Sequence, residues 1–454
     1  MHRSKIAASL LALAFLMAGA AFGQADFSKY VALGDSLTAG FSSGSINTNF
    51  QSTSYPALLA RQFGISGFQQ PLVSAPGLPP ILALQRLVPT PVIGPSAATG
   101  GAPTNLTLPR PYDNMAVPGA TVHDLLTKLR STSATDPTDL ILRQLGFTQL
   151  AQGLSLHPTF VTLWIGNNDA LGSATAGTDQ LLTPTASFEA DYRAIAGAIA
   201  ASGAKMAFGN IPDVTTIPFV TTLTRFIPNP ATGQPAVIAG NFVPLLGPDG
   251  PLQPGDFVLL TATSELAVGR GIPVQLGGSG VPLSNSVVLN ASEAANVRAR
   301  VNAYNAIIQT VANERGAALV DANAALTELA TTGVDIGGIT YTSAFLKGGA
   351  FSYDGVHPTK FGYAFLANLF IDAINKKFGT TVGEVNLFPF VFGSSSASSS
   401  AQASFNESEI GAPFVFTEEA RVNLLRSLGV PQAYIDGTPT PAPRPRRPVH
   451  GPHR

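Results

Sequence analysis

Tyr30-Val-Ala-Leu33, followed by Gly34, is the stretch from which the fold can be worked out. A short apolar run that ends in glycine is typical of a buried strand. Three later runs have a similar form: Phe160–Ile165, Lys205–Phe208 and Ala317–Val320. Helix-like stretches lie between or after them: Ser187–Ala201, Ser292–Arg315 and Lys360–Phe378. Because strands that alternate with helices form parallel βαβ units, we predict an α/β fold, a three-layer sandwich around a parallel sheet.

Two long segments interrupt this alternation of strands and helices. Residues 63–111 contain ten prolines and almost no charge, and residues 212–290 carry only six charged side chains. We interpret both as apolar insertions into the α/β core. Their scarcity of charge predicts an apolar wall or lid over Ser36, which follows the first predicted strand. The alternative is that each is a small β-rich subdomain that buries its own apolar residues.

The two ends of the chain have the composition of segments outside the fold. A positive start precedes an apolar run from Ile6 to Ala21, which is shorter than the roughly 20 residues that span a bilayer. We therefore expect a cleaved signal peptide at residues 1–23 and export to the periplasm or the medium, with a single membrane anchor as the alternative. We assign residues 26–392 to the main domain. The remaining segments are a Ser-rich linker at 393–404, a small C-terminal element at 405–438 and a disordered Pro/Arg tail at 439–454.

Charge and cysteine content exclude several classes of protein. A net charge of −1 lacks the basic field of a nucleic-acid-binding protein. The chain has no cysteine, so its stability must come from a large buried core rather than from disulfides. The few histidines are scattered and the acids lack ligand spacing, so we predict no metal site and no cofactor.

A serine needs a nearby base to act as a nucleophile at neutral pH, and three histidines are candidates for that base. His123 lies in a polar stretch at a predicted helix start, and His157 lies in a loop before a strand. His357 differs because Asp354 precedes it by three residues, directly before a predicted helix. This spacing lets a tight turn bring the carboxylate to the imidazole, where an acid fixes the tautomer and stabilises the imidazolium. The pair alone is a weak signal.

Two serines compete for the role of nucleophile. Ser36 follows the first predicted strand directly, in Gly34-Asp35-Ser36-Leu37. Ser42 lies in Gly40-Phe-Ser42-Ser-Gly44, which matches the Gly-x-Ser-x-Gly elbow of α/β-hydrolases. That elbow requires a strand immediately before it and a helix after it, and the sequence predicts neither there. Ser36 is therefore the better candidate.

Four motifs in the same order resemble the sequence blocks of the GDSL, or SGNH, hydrolase family. They are Gly34-Asp35-Ser36-Leu37, the stretch from Asn114 to Thr121 that contains Gly119, Gly166-Asn167-Asn168-Asp169, and Asp354-Gly-Val-His357. Together they bracket residues 30–365. The resemblance implies the flavodoxin-like α/β sandwich of SGNH hydrolases.

The resemblance also implies a role for each motif. Ser36 would attack an ester carbonyl, His357 would accept its proton and Asp354 would orient His357. The oxyanion would be stabilised by the backbone N–H groups of Ser36 and Gly119 and by the side chain of Asn168.

The sequence therefore predicts an exported serine esterase or lipase that forms an acyl-enzyme on Ser36. The nearly uncharged insertions favour a lipid-like carboxylic ester as substrate. We expect the binding partner to be a small-molecule or lipid ester, with transient contact with a membrane or lipid surface. The alternatives are a polysaccharide O-acetyl esterase and a non-catalytic surface protein on a hydrolase scaffold. We expect neither an obligate protein partner nor a nucleic-acid ligand.

Overall fold

The computed structural model describes residues 25–86, 91–130, 137–143, 146–229, 234–392 and 414–437. The predicted signal peptide at 1–23, Ser-rich linker at 393–404 and Pro/Arg tail at 439–454 lie outside these residues. Within the described ranges, no helix is both long enough and apolar enough to cross a membrane.

The strands are β1 (Tyr30–Gly34), β2 (Leu82–Arg86), β3 (Val92–Pro95), β4 (Phe160–Trp164), β5 (Lys205–Gly209), β6 (Val237–Ile238), β7 (Asn241–Phe242), β8 (Leu246–Gly247), β9 (Gly250–Pro251), β10 (Phe257–Val258), β11 (Val288–Leu289), β12 (Ala318–Val320), β13 (Val334–Ile336), β14 (Ile339–Tyr341) and β15 (Val415–Phe416). The helices are α1 (Ser36–Ala39), α2 (Thr48–Gln51), α3 (Tyr55–Gln62), α4 (Val122–Thr127), α5 (Pro137–Ile141), α6 (Gln149–Leu154), α7 (Asn168–Thr175), α8 (Thr185–Ala201), α9 (Pro218–Thr221), α10 (Thr263–Ala267), α11 (Ala291–Arg315), α12 (Ala322–Thr331), α13 (Lys360–Phe378), α14 (Phe388–Phe392), α15 (Glu418–Ser427) and α16 (Gln432–Ile435).

The central sheet is parallel and has the strand order β1-β4-β5-β12. These are the four strands predicted from the apolar runs. Every residue of β1 and β4 is buried, as expected for parallel strands that are covered on both faces. The carboxyl ends of all four strands therefore lie at one edge, where the loops that follow them meet.

Helices cover both faces of this sheet. Side chains alternate along β1: Val31 and Leu33 belong to one buried apolar cluster, and Tyr30 and Ala32 to another. On the first face α8 packs on α11, and on the second α3 packs on α13. The predicted three-layer α/β sandwich is confirmed.

Local signals determine where the long helices begin. Asn290 and Glu293 form a reciprocal capping box at the start of α11, and the side chain of Thr359 caps α13. The second cap matters for function because Thr359 lies two residues after His357 and fixes the start of α13 at Lys360.

The segment 63–111 contributes an antiparallel pair, β2 and β3. β15 joins this pair in parallel to β3, so part of the C-terminal element at 405–438 completes a three-stranded sheet. The described portion of that element, residues 414–437, then forms α15 and α16.

The segment 212–290 forms short antiparallel pairs, β6 with β7, β8 with β9 and β10 with β11. A separate apolar cluster is built from residues of this segment alone, among them Ile227, Leu245, Leu252 and Leu283. The segment therefore buries part of its own apolar surface, as the alternative interpretation of the insertions expects. Its character as an insertion or lid stays a prediction.

Candidate active site

Ser36 is the first residue of α1, immediately beyond the carboxyl end of β1. Asp35 caps this helix, because its Oδ1 accepts a hydrogen bond of 3.0 Å from the N–H of Leu37. Its Oδ2 accepts a second bond of 2.9 Å from the amide of Asn167, which follows β4. The turn that carries Ser36 is thereby attached to the end of the neighbouring strand.

His357 lies in the loop that leads into α13, and its side chain is buried. Its Nε2 is 2.8 Å from Ser36 Oγ, which is hydrogen-bonding distance. The two residues are 321 positions apart in the sequence, so only the tertiary fold brings them together.

Asp354 holds the other nitrogen of this imidazole. Its Oδ2 lies 2.9 Å from His357 Nδ1 and also accepts a 2.7 Å bond from the N–H of Gly44. Its Oδ1 accepts bonds from the N–H groups of Val356 and His357. Burial alone would raise the pKa of the Asp354 carboxyl, but the imidazole of His357 and these hydrogen bonds outweigh it and hold the pKa below its ordinary value.

An ionised Asp354 accepts a hydrogen bond from the Nδ1–H of His357, which keeps the proton on Nδ1 and leaves Nε2 unprotonated and facing Ser36. This is the tautomer in which imidazole can take a proton from a serine hydroxyl. Ser36, His357 and Asp354 thus have the geometry of a serine–histidine–aspartate triad, in which the acid and the base come from one tight turn.

The predicted oxyanion donors lie at the ends of neighbouring elements. Gly119 has a φ of +77°, a left-handed conformation that favours glycine. Asn168 Nδ2 donates one hydrogen bond of 2.8 Å to the carbonyl of Ala120, which leaves its second N–H available. In the described part of the chain, no acceptor is paired with the backbone N–H of Ser36 or Gly119. Three donors therefore remain available for an oxyanion.

Two buried carboxyls support this arrangement. Burial raises the pKa of Asp35 to about 6 and that of Asp169 to about 7. Asp169 Oδ2 accepts a 3.0 Å bond from the N–H of Val122, at the start of α4. Because Gly119 lies only three residues before Val122, this bond attaches the turn of Gly119 to α7, whose first residue is Asn168.

The rival candidates for the base, His123 and His157, and for the nucleophile, Ser42, are not paired with one another in the structure. His123 is exposed and pairs with Asp191 at 2.9 Å, while His157 lies in a loop with a φ of +52°. Ser42 is buried, and its Oγ donates to the carbonyl of Pro358 rather than facing a histidine. Its region forms a tight bridge with Ser45 and lacks the strand and helix that a nucleophile elbow requires.

Sequence reasoning missed Gly44, Ser352 and Asn167 as parts of the site. Gly44 and Ser352 bond to Asp354, and Asn167 bonds to Asp35. Asn167 has a recognisable signal, because it follows a strand next to Asn168. The bond from Gly44 joins residues 310 positions apart and has no local signal.

An apolar pocket opens beside Ser36 and His357. It encloses about 820 Å³, including its open mouth. Its walls are contributed by α12 and α13, with Ala325, Leu326 and Phe365 among them. Pro212, Val214 and Ile217 line it from the start of the segment 212–290, and no residue in the described part of 63–111 lines it.

Comparisons with known proteins identify the family to which the chain belongs. The model of the GDSL-like lipase/acylhydrolase family matches residues 30–370. Among solved structures, a catalytic mutant of an acetylxylan esterase from Geobacillus stearothermophilus is 13% identical, with a TM-score of 0.35, and the match covers 80% of this chain and 98% of that one. An α/β hydrolase enzyme, LAE5, from the metagenome of Lake Arreo in Spain is 15% identical, with a TM-score of 0.34 and coverage of 78% and 98%. At these TM-scores neither similarity bears on the substrate. No curated protein sequence matches the chain.

Proposed function

Because the chain belongs to the GDSL-like lipase/acylhydrolase family, we propose that it cleaves carboxylic esters with an apolar acyl group through an acyl-enzyme on Ser36. Family membership makes the protein an ester-bond hydrolase. The residue roles and the nature of the acyl group are the proposal, and the site geometry supports them.

Catalysis begins when Ser36 Oγ attacks the ester carbonyl while His357 Nε2 accepts the hydroxyl proton. The carbonyl oxygen becomes an oxyanion, which receives hydrogen bonds from the N–H groups of Ser36 and Gly119 and from Asn168 Nδ2. His357 then donates its proton to the leaving alcohol, and the acyl group stays on Ser36. Water attacks this acyl-enzyme with the same base, and the carboxylic acid leaves. Asp354 stabilises the imidazolium that forms in each half of the cycle.

The apolar pocket beside Ser36 is the observation that favours an apolar acyl group. Its lining beyond Ser36, His357 and Asn167 consists of aliphatic and aromatic side chains, proline, glycine and alanine. A buried CH₂ group contributes about 0.8 kcal/mol, so each one added to an acyl chain can be worth several-fold in kcat/KM while the pocket has room.

A series of p-nitrophenyl esters from acetate to dodecanoate tests the acyl preference. We expect kcat/KM to rise from acetate toward medium-chain esters and then to level off as the pocket fills. A maximum at acetate would contradict the apolar substrate and favour the alternative, an O-acetyl esterase acting on polysaccharide.

A matched pair of substitutions on α12 tests whether the pocket holds the acyl chain. Ala325 is buried in the pocket wall, whereas Ala324 is exposed on the same helix. Ala325→Phe should lower kcat/KM for octanoate by about tenfold or more, the equivalent of about two lost CH₂ contacts, and leave acetate hydrolysis within about twofold. Ala324→Phe should change neither. Equal effects on both substrates would place the acyl chain elsewhere.

We further propose that the enzyme is exported after cleavage of residues 1–23. Supporting this, residues 1–23 contain a positive start followed by a short apolar run from Ile6 to Ala21. N-terminal sequencing of the protein recovered from periplasm or medium should give a start close to residue 24. An intact N-terminus on membrane-bound protein would instead indicate an anchor.

A further inference from the structure

The described C-terminal segment, residues 414–437, docks on the catalytic domain at several separate points. Its backbone joins β3 through the bonds from Val415 N–H to Pro91 O and from Thr417 N–H to Ile93 O. Between these two bonds, the N–H of Phe416 donates a hydrogen bond of 3.2 Å to Thr263 Oγ1. The segment therefore connects the segments 63–111 and 212–290.

One face of the docked segment is buried against the catalytic domain. Ala420, Leu424 and Leu428 are each at most 1% exposed. They belong to the same apolar cluster as Val117 and Ala120, the residues that flank the turn of Gly119. The ring of Phe414 lies 5.2 Å from that of Phe345, in the chain that leads to Asp354 and His357.

The end of α15 reaches the backbone of Gly119 itself. A methyl group placed on the Cα of Gly119 would lie 3.6 Å from the carbonyl oxygen of Ser427 and 3.9 Å from the Cα of Gly429. In the opposite direction, a methyl group on Gly429 would lie 3.5 Å from the carbonyl oxygen of Gly119. The two glycine turns are thus packed backbone against backbone, with no side chain between them.

Gly119, which Gly429 contacts, carries one of the proposed oxyanion donors, and the direction of its N–H matters for that role. Asn168 Nδ2 donates to the carbonyl of Ala120 at one end of this turn. The backbone of Gly429 packs against the carbonyl oxygen of Gly119. A donor displaced by about 1 Å can cost about a hundredfold in rate, so a change at this contact can alter the rate if Gly119 is an oxyanion donor.

We propose that the segment 414–437 is a clamp that positions the N–H of Gly119 for the oxyanion, with Gly429 as the positioning residue. This rests on the proposed function, in which Gly119 is an oxyanion donor. Ester hydrolysis then depends on a segment that lies beyond the Ser-rich stretch and outside the family match, which ends at residue 370.

A matched pair of glycine substitutions in the full-length protein tests the clamp. Gly429 has a φ of +75° and Gly437 a φ of +68°, so both impose similar backbone strain when replaced. Only Gly429 faces Gly119, because an added Cβ at Gly437 would meet nothing within 4 Å. We measure kcat, KM and Tm for Gly429→Leu and Gly437→Leu, and for Gly429→Ala as a smaller change that should fold if the leucine variant does not.

We expect Gly429→Leu to lower kcat by about tenfold or more with KM within about twofold, because a displaced oxyanion donor affects the transition state and not the bound substrate. Gly429→Ala should lower kcat less, and Gly437→Leu should change kcat by no more than about twofold at a similar Tm. Equal kcat in the Gly429 and Gly437 variants would overturn the clamp and leave Ser36-dependent hydrolysis intact. So would a change in KM alone. Absence of ester hydrolysis in the wild-type protein would instead overturn the proposed function.

Discussion

Asn168, itself a proposed oxyanion donor, is hydrogen-bonded to the turn that carries another proposed donor, Gly119. Its Nδ2 is fixed by the carbonyl of Ala120, next to Gly119, so its free N–H keeps a constant direction relative to that turn. A preorganised donor of this kind strengthens its bond as negative charge develops on the substrate oxygen. We therefore propose that Asn168 acts on the transition state more than on substrate binding.

Replacing Asn168 by Ala should lower kcat by about a hundredfold or more and leave KM nearly unchanged. Steady-state kinetics on the best p-nitrophenyl ester provide the measurement. A variant that changes only KM would mean that Asn168 binds substrate and is not an oxyanion donor.

Asp354→Asn should lower kcat by several orders of magnitude, up to about 10⁴-fold as for the equivalent change in serine proteases. An amide cannot accept from every N–H that now surrounds this carboxylate, and it favours the wrong tautomer of His357. Kinetics at neutral pH, with near-ultraviolet circular dichroism to verify folding, measure the effect. A folded variant with less than about a tenfold loss would show that Asp354 is not needed to orient the base.

At the level of residues, the sequence allowed Ser36 and His357 to be selected because each follows a local pattern that chemistry requires. Ser36 comes directly after a strand, and His357 has an acid three positions before it. Gly44 could not be selected, because its N–H meets Asp354 only after the chain between them has folded. Contacts made by backbone groups leave no side-chain signature in a sequence.

Among the elements, α4 and α7 are joined at their first turns by the bond between Asp169 and Val122. Burial raises the pKa of Asp169 from its ordinary value of 3.8 to about 7. As pH rises from about 4 to about 7, the unfolded chain therefore releases this proton while the folded protein keeps it. The free energy of unfolding contributed by this group falls over that window.

Asp169→Asn should accordingly gain stability relative to the wild type as pH rises from about 4 to about 7, since an amide does not ionise. Urea denaturation at several pH values measures the difference. Asp372→Asn, at an exposed position on α13, provides the control for removing one carboxyl group from the surface. A constant difference between Asp169→Asn and the wild type would mean that Asp169 is already ionised in the folded protein.

The main-domain elements were predictable, but the short strands outside the central sheet were not. The predicted helix Lys360–Phe378 has the same bounds as α13, and the four strands of the central sheet agree within one residue at either end. The apolar pattern that predicts each of these elements lies within one continuous stretch of the sequence. β15 has two residues and pairs with β3, more than 300 positions earlier, so its strand character depends on a partner that local sequence does not indicate.

At the scale of the whole molecule, several large apolar side chains in the segment 212–290 are exposed. Val237 is 62% exposed, Phe242 53%, Val268 69% and Val274 65%. An enzyme that takes apolar esters from a lipid phase needs a surface that tolerates contact with lipid, and exposed apolar side chains supply one. We propose that this segment makes the transient lipid-surface contact.

Combining Phe242→Ser with Val274→Ser should weaken co-sedimentation with phosphatidylcholine vesicles by severalfold and leave hydrolysis of a soluble short-chain ester unchanged. Phe388, 59% exposed and outside this segment, provides the control, since Phe388→Ser should bind vesicles like the wild type. Equal vesicle binding by all three proteins would contradict the lipid-surface contact.

The two segments that were predicted to wall the active site differ in how they contribute to the pocket. The start of 212–290 contributes three lining residues, while 63–111 instead forms the sheet on which the C-terminal segment docks. Composition indicates that a segment is apolar, but not which surface it covers, because burial in a neighbouring cluster and burial in a substrate pocket require the same residues.

The central claim is that Ser36 is a nucleophile activated by His357, and covalent labelling tests it most directly. An alkyl fluorophosphonate should form one adduct, located by peptide mass spectrometry on Ser36, and labelling should be nearly abolished in His357→Ala. An adduct on Ser42, or labelling of Ser36 at an unchanged rate in His357→Ala, would contradict the account.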